Sequence, residues 1–173
     1  MSKPGSDHLD RIVEQWARER PDLDVAALAT MGRLFRVADL AHDELGRGLR
    51  GYRLPPGWFD VLAALRRAGP PFELTPTALM HAMMLSSGGV TKRLDRLVDA
   101  RLVTRRADPD DRRGVLVRLT ARGRQLIDRA LAEHLANEEE LLDVLTPVEQ
   151  RELDGLLRRL LAGLEADVSP RSR

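Results

Sequence analysis

The sequence combines many apolar stripes of helical spacing with one pair of short strand-like runs, and this contrast limits its possible folds. The two runs, 102–106 and 115–120, flank the segment ADPDDRRG at 107–114. Because Asp, Pro and Gly favour turns, these three segments predict a β-hairpin. The rest of the chain is rich in Leu, Ala and Arg, which favour helix over sheet. We therefore predict a mainly α fold with a small β-wing.

Helices are predicted on both sides of the hairpin, with breaks that contain Pro and Gly between them. Two helix starts carry a threonine cap: Thr75 precedes Pro76, and Thr120 precedes a long apolar pattern. The segment TPVE at 146–149 has the spacing of a capping box. The predicted helices cover about 7–19, 24–48, 58–69, 78–85, 87–100 with a cap at Ser86 or Ser87, 121–145, and the leucine-rich region around 153–164.

Charge is distributed unevenly along the chain, although the formal net charge is only +1. Residues 86–129 carry 12 basic and 6 acidic side chains, a net charge of +6. Residues 130–173 carry 5 basic and 10 acidic side chains, a net charge of −5. This asymmetry indicates that the middle of the chain faces nucleic acid and that the acidic part faces elsewhere. A solvated charged face is the alternative explanation for the same pattern.

The composition and the motifs exclude several classes of protein. Because the sequence has no cysteine, disulfides, thiolate catalysis and thiolate zinc sites are excluded. The motifs of serine hydrolases, zinc proteases and phosphate-binding loops are missing and the four histidines are scattered, so we predict no enzyme, no metal and no cofactor. The sequence shows neither a signal peptide nor an apolar run of membrane-spanning length. We expect a cytoplasmic protein that does not bind membranes.

The segment 86–100 has the pattern of a DNA-recognition helix. Its apolar residues cluster on one side of a helical wheel and predict a face that packs against the protein: Val90, Leu94, Leu97 and Val98. Thr91, Lys92 and Arg96 occupy the free side, from which they can reach base edges in a major groove. A short capped helix before this segment and the basic hairpin after it complete the layout of a winged helix-turn-helix.

Contacts to the DNA backbone are predicted at both ends of this unit. Ser86 and Ser87, together with the free N–H groups at the start of the recognition helix, can hold a phosphate. Arg112 and Arg113 lie at the tip of the wing, where they can reach the backbone or a minor groove. A basic hairpin on a helical bundle is the alternative, and it leaves the capped helix pair beside the hairpin unexplained.

The segment 86–123, SSGGVTKRLDRLVDARLVTRRADPDDRRGVLVRLTARG, resembles the recognition helix and wing of the MarR family of bacterial regulators. Its DRRG run at 111–114, followed by LVRLT, is similar to the wing signature of that family. The resemblance implies that Arg113 enters the minor groove and that Asp111 orients it. It covers nearly the whole chain, and it implies a homodimer that binds a pseudo-palindromic operator in double-stranded DNA.

The resemblance also implies how the chain is divided. Residues 1–52 are expected to supply N-terminal helices for dimerisation and for a lid over a ligand pocket. Residues 53–120 are expected to form the winged helix-turn-helix DNA-binding domain, and residues 121–173 the C-terminal dimerisation helices. The leucine-dense segment 153–164 and the long helix 24–48 provide apolar surface for the dimer. The expected fold is therefore a dimeric, MarR-like architecture with an extra N-terminal helix.

The extra helix at 7–19 is similar to one found in a urate-responsive, PecS-like branch of the family, which has relatives that respond to trans-aconitate. Ligand-pocket residues of that branch match Trp16, Asp60, Arg93 and Arg105. Guanidinium groups bind planar or carboxylate anions in a bidentate manner. The resemblance therefore implies an electrostatic switch in which a small anionic ligand competes with Asp60 for Arg93. Because Arg93 lies on the recognition helix, its displacement is expected to release the operator.

Each of these four residues also has an ordinary structural explanation. Trp16 lies on the apolar stripe of its helix, where core packing accounts for it. Asp60 lies in the first turn of a helix, where the helix dipole favours a carboxylate. Arg105 opens the wing and can contact a phosphate instead of a ligand. Arg93 lies at the edge of the apolar stripe, so we expect its side chain to lean toward the protein rather than the DNA.

Three departures from the family pattern affect base preference and the end of the recognition helix. Lys92 adds a positive charge where the branch usually has a smaller or polar residue. The glycines at 88–89 lower the helix propensity of the recognition segment by up to about 1 kcal/mol each. Arg101 stands where the family usually has glycine, the residue suited to a left-handed helix end.

The sequence thus predicts a ligand-responsive, sequence-specific DNA-binding transcriptional regulator, and a repressor in particular. Three alternatives stay open at this point. The chain can be a ligand-independent architectural DNA-binding protein, or a helical dimerisation module whose basic patch meets an acidic partner. It can also be the same kind of regulator with trans-aconitate, citrate or a phenolic compound in place of urate.

Overall fold

The structure, a computed structural model, describes residues 5–55, 57–83, 90–109, 111 and 114–168. The chain separates into two compact units, Met1–Pro56 and Gly57–Arg173. No helix in the described part of the chain has the length and apolarity needed to span a bilayer.

The N-terminal unit consists of two helices and a short 3-10 helix. Helix α1 spans His8–Glu19, α2 spans Ala26–Gly48, and the 3-10 helix spans Leu49–Tyr52. Asp7 caps α1, because its carboxylate accepts hydrogen bonds from two backbone N–H groups of the first turn. The predicted boundaries of these two helices agree with the structure to within two residues, with α2 starting at 26 rather than 24.

One close apolar contact and one ion-pair cluster fasten α1 to α2. Leu9 lies so close to Gly32 that a Cβ at this glycine would stand 2.5 Å from the leucine side chain. Arg33 of α2 binds two carboxylates at the start of α1: its Nε donates to Asp7 at 2.7 Å, and its Nη2 donates to Asp10. The hydrogen bond from Arg33, with support from backbone N–H groups, lowers the pKa of Asp7 to about 2. Shape and charge therefore fix the attachment of α1.

The second unit has the element order of a winged helix-turn-helix followed by two long helices. Its elements are α3 (Trp58–Arg67), β1 (Glu73–Leu74), α4 (Pro76–Ala82), α5 (Val90–Asp99), β2 (Val103–Ala107), β3 (Val115–Leu119), α6 (Ala121–Leu142) and α7 (Pro147–Val168).

Three predicted helix caps of this unit are confirmed, and the cap predicted at Ser86 or Ser87 lies outside the described residues. The hydroxyl of Thr75 accepts the N–H of Ala78 at 3.1 Å at the start of α4. The hydroxyl of Thr120 accepts the N–H of Gly123 at 2.9 Å at the start of α6. The capping box at 146–149 also forms, because the Glu149 carboxylate accepts the backbone N–H of the threonine at 2.8 Å. The helix starts therefore follow from short sequence motifs alone.

The β-wing is part of a three-stranded antiparallel sheet with the order β1-β3-β2. The predicted hairpin is confirmed, with its strands at Val103–Ala107 and Val115–Leu119 instead of 102–106 and 115–120. The two-residue strand β1 was not predicted, because a segment of that length is too short to show an alternating pattern. The prediction that α6 continues to 145 is also wrong, since the helix ends at Leu142.

The hydrophobic core forms between the winged helix-turn-helix and α6. Its largest fully buried side chains come from α3, α4, α5, both wing strands and α6: Leu62, Leu65, Leu79, Leu94, Leu97, Ile127, Val61, Val103 and Val117. The leucines of α7 are 37% to 60% exposed in the single chain: Leu153, Leu156, Leu157, Leu160, Leu161 and Leu164. On α2, Phe35 is also 61% exposed. A dimer surface on these helices stays a prediction.

Candidate functional site

Helix α5 has one buried side and one exposed side, as its sequence pattern predicts. Leu94 and Leu97 are 1% and 0% exposed, and they anchor the helix in the core. Thr91, Lys92 and Arg96 are exposed on the opposite side. A helix that is anchored on one side and carries long polar side chains on the other can enter a major groove and contact base edges.

Several residues that we predicted to contact DNA lie outside the part of the chain that the structure describes. They are Ser86, Ser87, Arg112 and Arg113, and the glycines at 88–89 lie outside it as well. The roles of these residues stay predictions. At Val90, the backbone is helical and the side chain lies outside the description.

The C-terminal end of α5 needs a left-handed residue, and Arg101 occupies that position. The backbone N–H of Arg101 donates to the carbonyl of Val98 at 2.8 Å, and the N–H of Leu102 donates to the carbonyl of Leu97 at 3.0 Å. This is the hydrogen-bond pattern of a Schellman motif. Arg101 has a φ of 58°, a conformation that costs a non-glycine residue about 1–2 kcal/mol. The end of the recognition helix is therefore formed against a conformational cost.

An ion pair across the sheet fixes the base of the wing. Arg106 of β2 donates from Nε and Nη2 to the two carboxylate oxygens of Glu73 on β1, at 3.0 and 2.6 Å. Since β3 lies between these two strands, the pair spans the whole sheet. The Glu73 side chain is only 11% exposed, and the hydrogen bonds from Arg106 lower the pKa of Glu73. The orientation of β2 relative to β1 is thereby set by a bidentate contact.

A second ion pair ties the wing to the recognition helix. Nη1 of Arg105 on β2 lies 2.7 Å from Oδ1 of Asp95 on α5. The two side chains are 38% and 52% exposed, so the pair lies at the surface. Arg105 was predicted as a ligand residue, whereas Asp95 was given no role. The pair neutralises one carboxylate on the helix that carries the DNA-facing side chains.

Arg93 leans toward the protein, as its place on the helical wheel predicts. Its guanidinium lies against Gly57 at the start of α3, where an added Cβ would stand 2.6 Å from Nη1 and 2.7 Å from Nε. Gly57 also has a φ of 77°, in the left-handed region that favours glycine. Both the backbone conformation and the space taken by Arg93 therefore favour glycine at this position.

Asp60 lies in the first turn of α3, three residues after Gly57. Its side chain is half-buried. Within the described residues, neither Asp60 nor Arg93 takes part in an ion pair. The structure thus brings a carboxylate and a guanidinium to the same end of α3 and ties Arg105 to the helix that bears Arg93. Of the four predicted ligand residues, these three belong to one compact unit.

Trp16, the fourth predicted ligand residue, belongs to the N-terminal unit. It lies on α1, and it is 47% exposed. Packing in the interior of that unit therefore does not account for it. Its assignment to a ligand site rests on the resemblance stated above.

Sequence reasoning missed two residues that shape this site, Asp95 and Gly57. Nothing in the sequence around Gly57 indicates a contact with Arg93, which lies much later in the chain. Nothing in the sequence distinguishes Asp95 from the other charged residues of the recognition helix. In the described residues, no group of His, Asp and Glu side chains is arranged to hold a metal ion.

The fold and the exposed polar face of α5 define a winged helix-turn-helix DNA-binding protein. Residues 54–114 match the model of the MarR family. The chain is 40% identical to the HTH-type transcriptional regulator PecS of Dickeya dadantii over 149 residues, which is 86% of this chain and 90% of the relative. The chain therefore belongs to the MarR family, and it is a DNA-binding transcriptional regulator. Its relatives are regulators rather than enzymes.

Two solved structures illustrate this relationship. A variant of MarR from Escherichia coli in complex with operator DNA has a TM-score of 0.70 and 30% identity, and the match covers 79% of this chain and 97% of that one. BpsR of Bordetella bronchiseptica, whose DNA binding is regulated by 6-hydroxynicotinic acid, has a TM-score of 0.67 and 26% identity. That match covers 75% of this chain and 90% of BpsR.

Proposed function

We propose that the protein is a homodimeric repressor that a small planar anion such as urate releases from a pseudo-palindromic operator. Asp60, Arg93 and Arg105 form the proposed ligand site, and a ligand role for Trp16 stays the expectation drawn from the resemblance. Lys92 and Arg96 are the side chains that we expect to read bases. A basic recognition helix on each subunit of a two-fold dimer suits two half-sites of one operator.

The observation that carries this proposal is that both arginines are attached to the recognition helix. Arg93 is part of α5, and its guanidinium lies against Gly57 at the start of α3. Arg105 is ion-paired with Asp95 of the same helix. An anion that recruits either guanidinium therefore acts directly on the element that contacts DNA, and no longer chain of contacts is needed between ligand and operator.

The two arginines of the proposed site, Arg93 and Arg105, suit an anionic ligand. Two guanidinium groups can bind the acidic edge of a planar heterocycle through paired N–H donors. Asp60 at the same end of α3 would repel an anion nearby, so the two arginines have to outweigh its charge. BpsR supports this class of ligand, because its regulator, 6-hydroxynicotinic acid, is a small planar nitrogen heterocycle with an anionic group.

The size of the effect is bounded by thermodynamic linkage. A ligand weakens DNA binding only by the ratio of its affinities for the two states of the protein. Coupling energies between two sites are typically about 1–3 kcal/mol, which corresponds to roughly 5- to 150-fold in affinity. We therefore expect urate to weaken operator binding by a factor in this range.

The test compares Asp60→Asn and Arg93→Ala with the wild-type protein. Operator affinity is measured by fluorescence anisotropy with DNA from the promoter region of the protein's own gene, with and without urate. Both variants should bind DNA and respond abnormally to urate. Arg159→Ala, which removes an exposed arginine of α7, should respond like the wild type. A normal urate response of both site variants, with thermal unfolding unchanged, refutes the proposed ligand site.

A further inference from the structure

The ion pair between Arg105 and Asp95 joins two elements that contact DNA in different ways. Asp95 lies on the exposed side of α5, the side that also bears Lys92 and Arg96. The partner of Asp95 comes from β2, the first strand of the wing. Nη1 of Arg105 and Oδ1 of Asp95 lie 2.7 Å apart. A ligand that binds Arg105 through Nη1 therefore competes with this carboxylate.

We propose that Asp95 is a positioning residue that converts anion binding at Arg105 into loss of DNA affinity. The proposal rests on the function proposed above, in which Arg105 is a ligand residue. While Arg105 is paired, the charge of Asp95 is neutralised. When a ligand takes Arg105, an unpaired carboxylate is left on the recognition helix.

The cost of this unpaired carboxylate arises from the charge density of DNA. Duplex DNA carries about one negative charge per 1.7 Å of helix axis. An exposed carboxylate on a helix in the major groove lies well within the screening length of about 10 Å at 0.1 M salt. Its repulsion from the phosphates therefore raises the free energy of the DNA-bound state and leaves that of the free protein unchanged. This difference between the two states is what allows the ligand to act on DNA affinity.

Asp95 differs in this respect from Asp60. Asp60 lies on α3, and its proposed effect is on Arg93, whose guanidinium reaches the start of that helix from α5. Asp95 lies on α5 itself, and its observed partner is Arg105. Of these two carboxylates, only Asp95 is ion-paired with a ligand arginine in the structure and lies on the recognition helix, from which it can act on DNA directly.

The proposal predicts two opposite effects of Asp95→Asn. The variant removes the competitor for Arg105, so urate should bind the free protein more tightly. An exposed ion pair of this kind is worth about two- to five-fold in affinity, and the dissociation constant for urate should fall by that factor. The variant also leaves no charge to expose, so saturating urate should weaken DNA binding less than in the wild type. Substitution of a residue with a purely structural role would not both raise the affinity for urate and lower the coupling between urate and DNA binding.

The matched control is Asp99→Asn, which removes the same charge from another exposed position of α5. Urate binding to the full-length protein is measured by isothermal titration calorimetry. DNA binding is measured by anisotropy with the promoter duplex, with and without saturating urate. Asp99→Asn should match the wild type in urate affinity and in coupling. Asp95→Glu, which keeps the charge, should restore both quantities. If Asp95→Asn behaves like Asp99→Asn, the proposal is refuted.

A DNA-only comparison separates this inference from the proposed function. If urate fails to bind the wild type, the proposed ligand is wrong. The substitution Arg105→Gln then tests Asp95 without a ligand, because it removes the ion-pair partner of Asp95. This variant leaves Asp95 unpaired, so it should weaken DNA binding several-fold. The double variant Asp95→Asn/Arg105→Gln should bind DNA within about two-fold of Asp95→Asn alone, as expected for a coupled pair. A double variant that stays as weak as Arg105→Gln overturns the role of Asp95.

Discussion

Replacing Gly57 by alanine separates the placement of Arg93 from the stability of the fold. The substitution has two effects, because Gly57 has a φ of 77° and because a Cβ there would overlap the Arg93 guanidinium. Gly69 provides the matched control. Its φ is 76°, almost the same, but a Cβ at Gly69 would meet nothing within 4 Å. The two alanine variants therefore share the backbone strain and differ in the displacement of Arg93.

The magnitudes follow from these geometries. A left-handed alanine costs about 1–2 kcal/mol, so both variants should lose this amount of unfolding free energy. The clash at Gly57 involves the far end of a long side chain, which can move aside by about 1 Å to reach ordinary contact. The additional loss of stability should therefore be small. The loss of ligand binding should be large, since a hydrogen bond to a charged group is worth about 1.5–3 kcal/mol, or roughly 10- to 150-fold in affinity.

The assay measures stability by urea denaturation and urate affinity by isothermal titration calorimetry, for both variants and the wild type. Gly57→Ala and Gly69→Ala should unfold at similar urea concentrations, and only Gly57→Ala should bind urate at least tenfold more weakly. In an Arg93→Ala background, Gly57→Ala should have no further effect on urate affinity. Equal urate affinities of the two glycine variants would refute the reasoning, because they would show that the position of Arg93 does not depend on Gly57.

Three further substitutions test separate parts of the structure. Gly123→Ala should lower the unfolding free energy by about 1–3 kcal/mol in urea denaturation, because a Cβ there would overlap the carbonyl oxygen of Leu102. Arg101→Gly should raise the unfolding free energy by about 1 kcal/mol in the same assay, since φ at this position is 58°. The hydrogen bond from Arg33 lowers the pKa of Asp7 to about 2, so the contribution of Asp7 to stability is present above its ordinary pKa of 3.8 and lost as the pH falls toward 2. Asp7→Asn should therefore flatten the acid dependence of stability.

Each of these three substitutions has an outcome that would contradict its structural explanation, and Gly123→Ala also has a matched control. Gly46→Ala, in α2 with no atom within 4 Å of the added Cβ, should be neutral or stabilising, whereas Gly123→Ala destabilises. A stable Gly123→Ala would contradict the close packing of α6 on the chain before β2. A loss of stability in Arg101→Gly would show that the arginine side chain contributes more than the strain. An unchanged pH profile in Asp7→Asn would mean that the Arg33 contact does not form in solution.

The parts of the fold that could be predicted from sequence are those that local patterns determine. The caps at Thr75 and Thr120 depend on residues three or four positions apart, and both formed as expected. The buried side of α5 followed from helical periodicity, with Leu94 and Leu97 in the core. The strained end of that helix followed from one residue, because an arginine occupies a position where a Schellman motif favours glycine.

The contacts of the candidate site could not be predicted in the same way, because they join separate elements. The pair Asp95–Arg105 forms only when β2 packs beside α5, and exposed Asp and Arg residues in a charged chain offer many other pairings. The contact of Arg93 with Gly57 depends on the way α5 approaches the start of α3. Strand β1 depends on its pairing with β3, since two residues carry no pattern of their own.

The central claim is that one protein binds a specific operator and that a planar anion weakens this binding. The most direct measurement is the anisotropy of wild-type protein on the promoter duplex and on a scrambled duplex, at fixed salt, with and without saturating urate. We expect the protein to bind the promoter duplex at least about 1,000-fold more tightly than the scrambled duplex. We expect urate to weaken binding to the promoter roughly 5- to 150-fold. Equal affinity for both duplexes, with no effect of urate, would contradict it and would indicate an architectural DNA-binding protein.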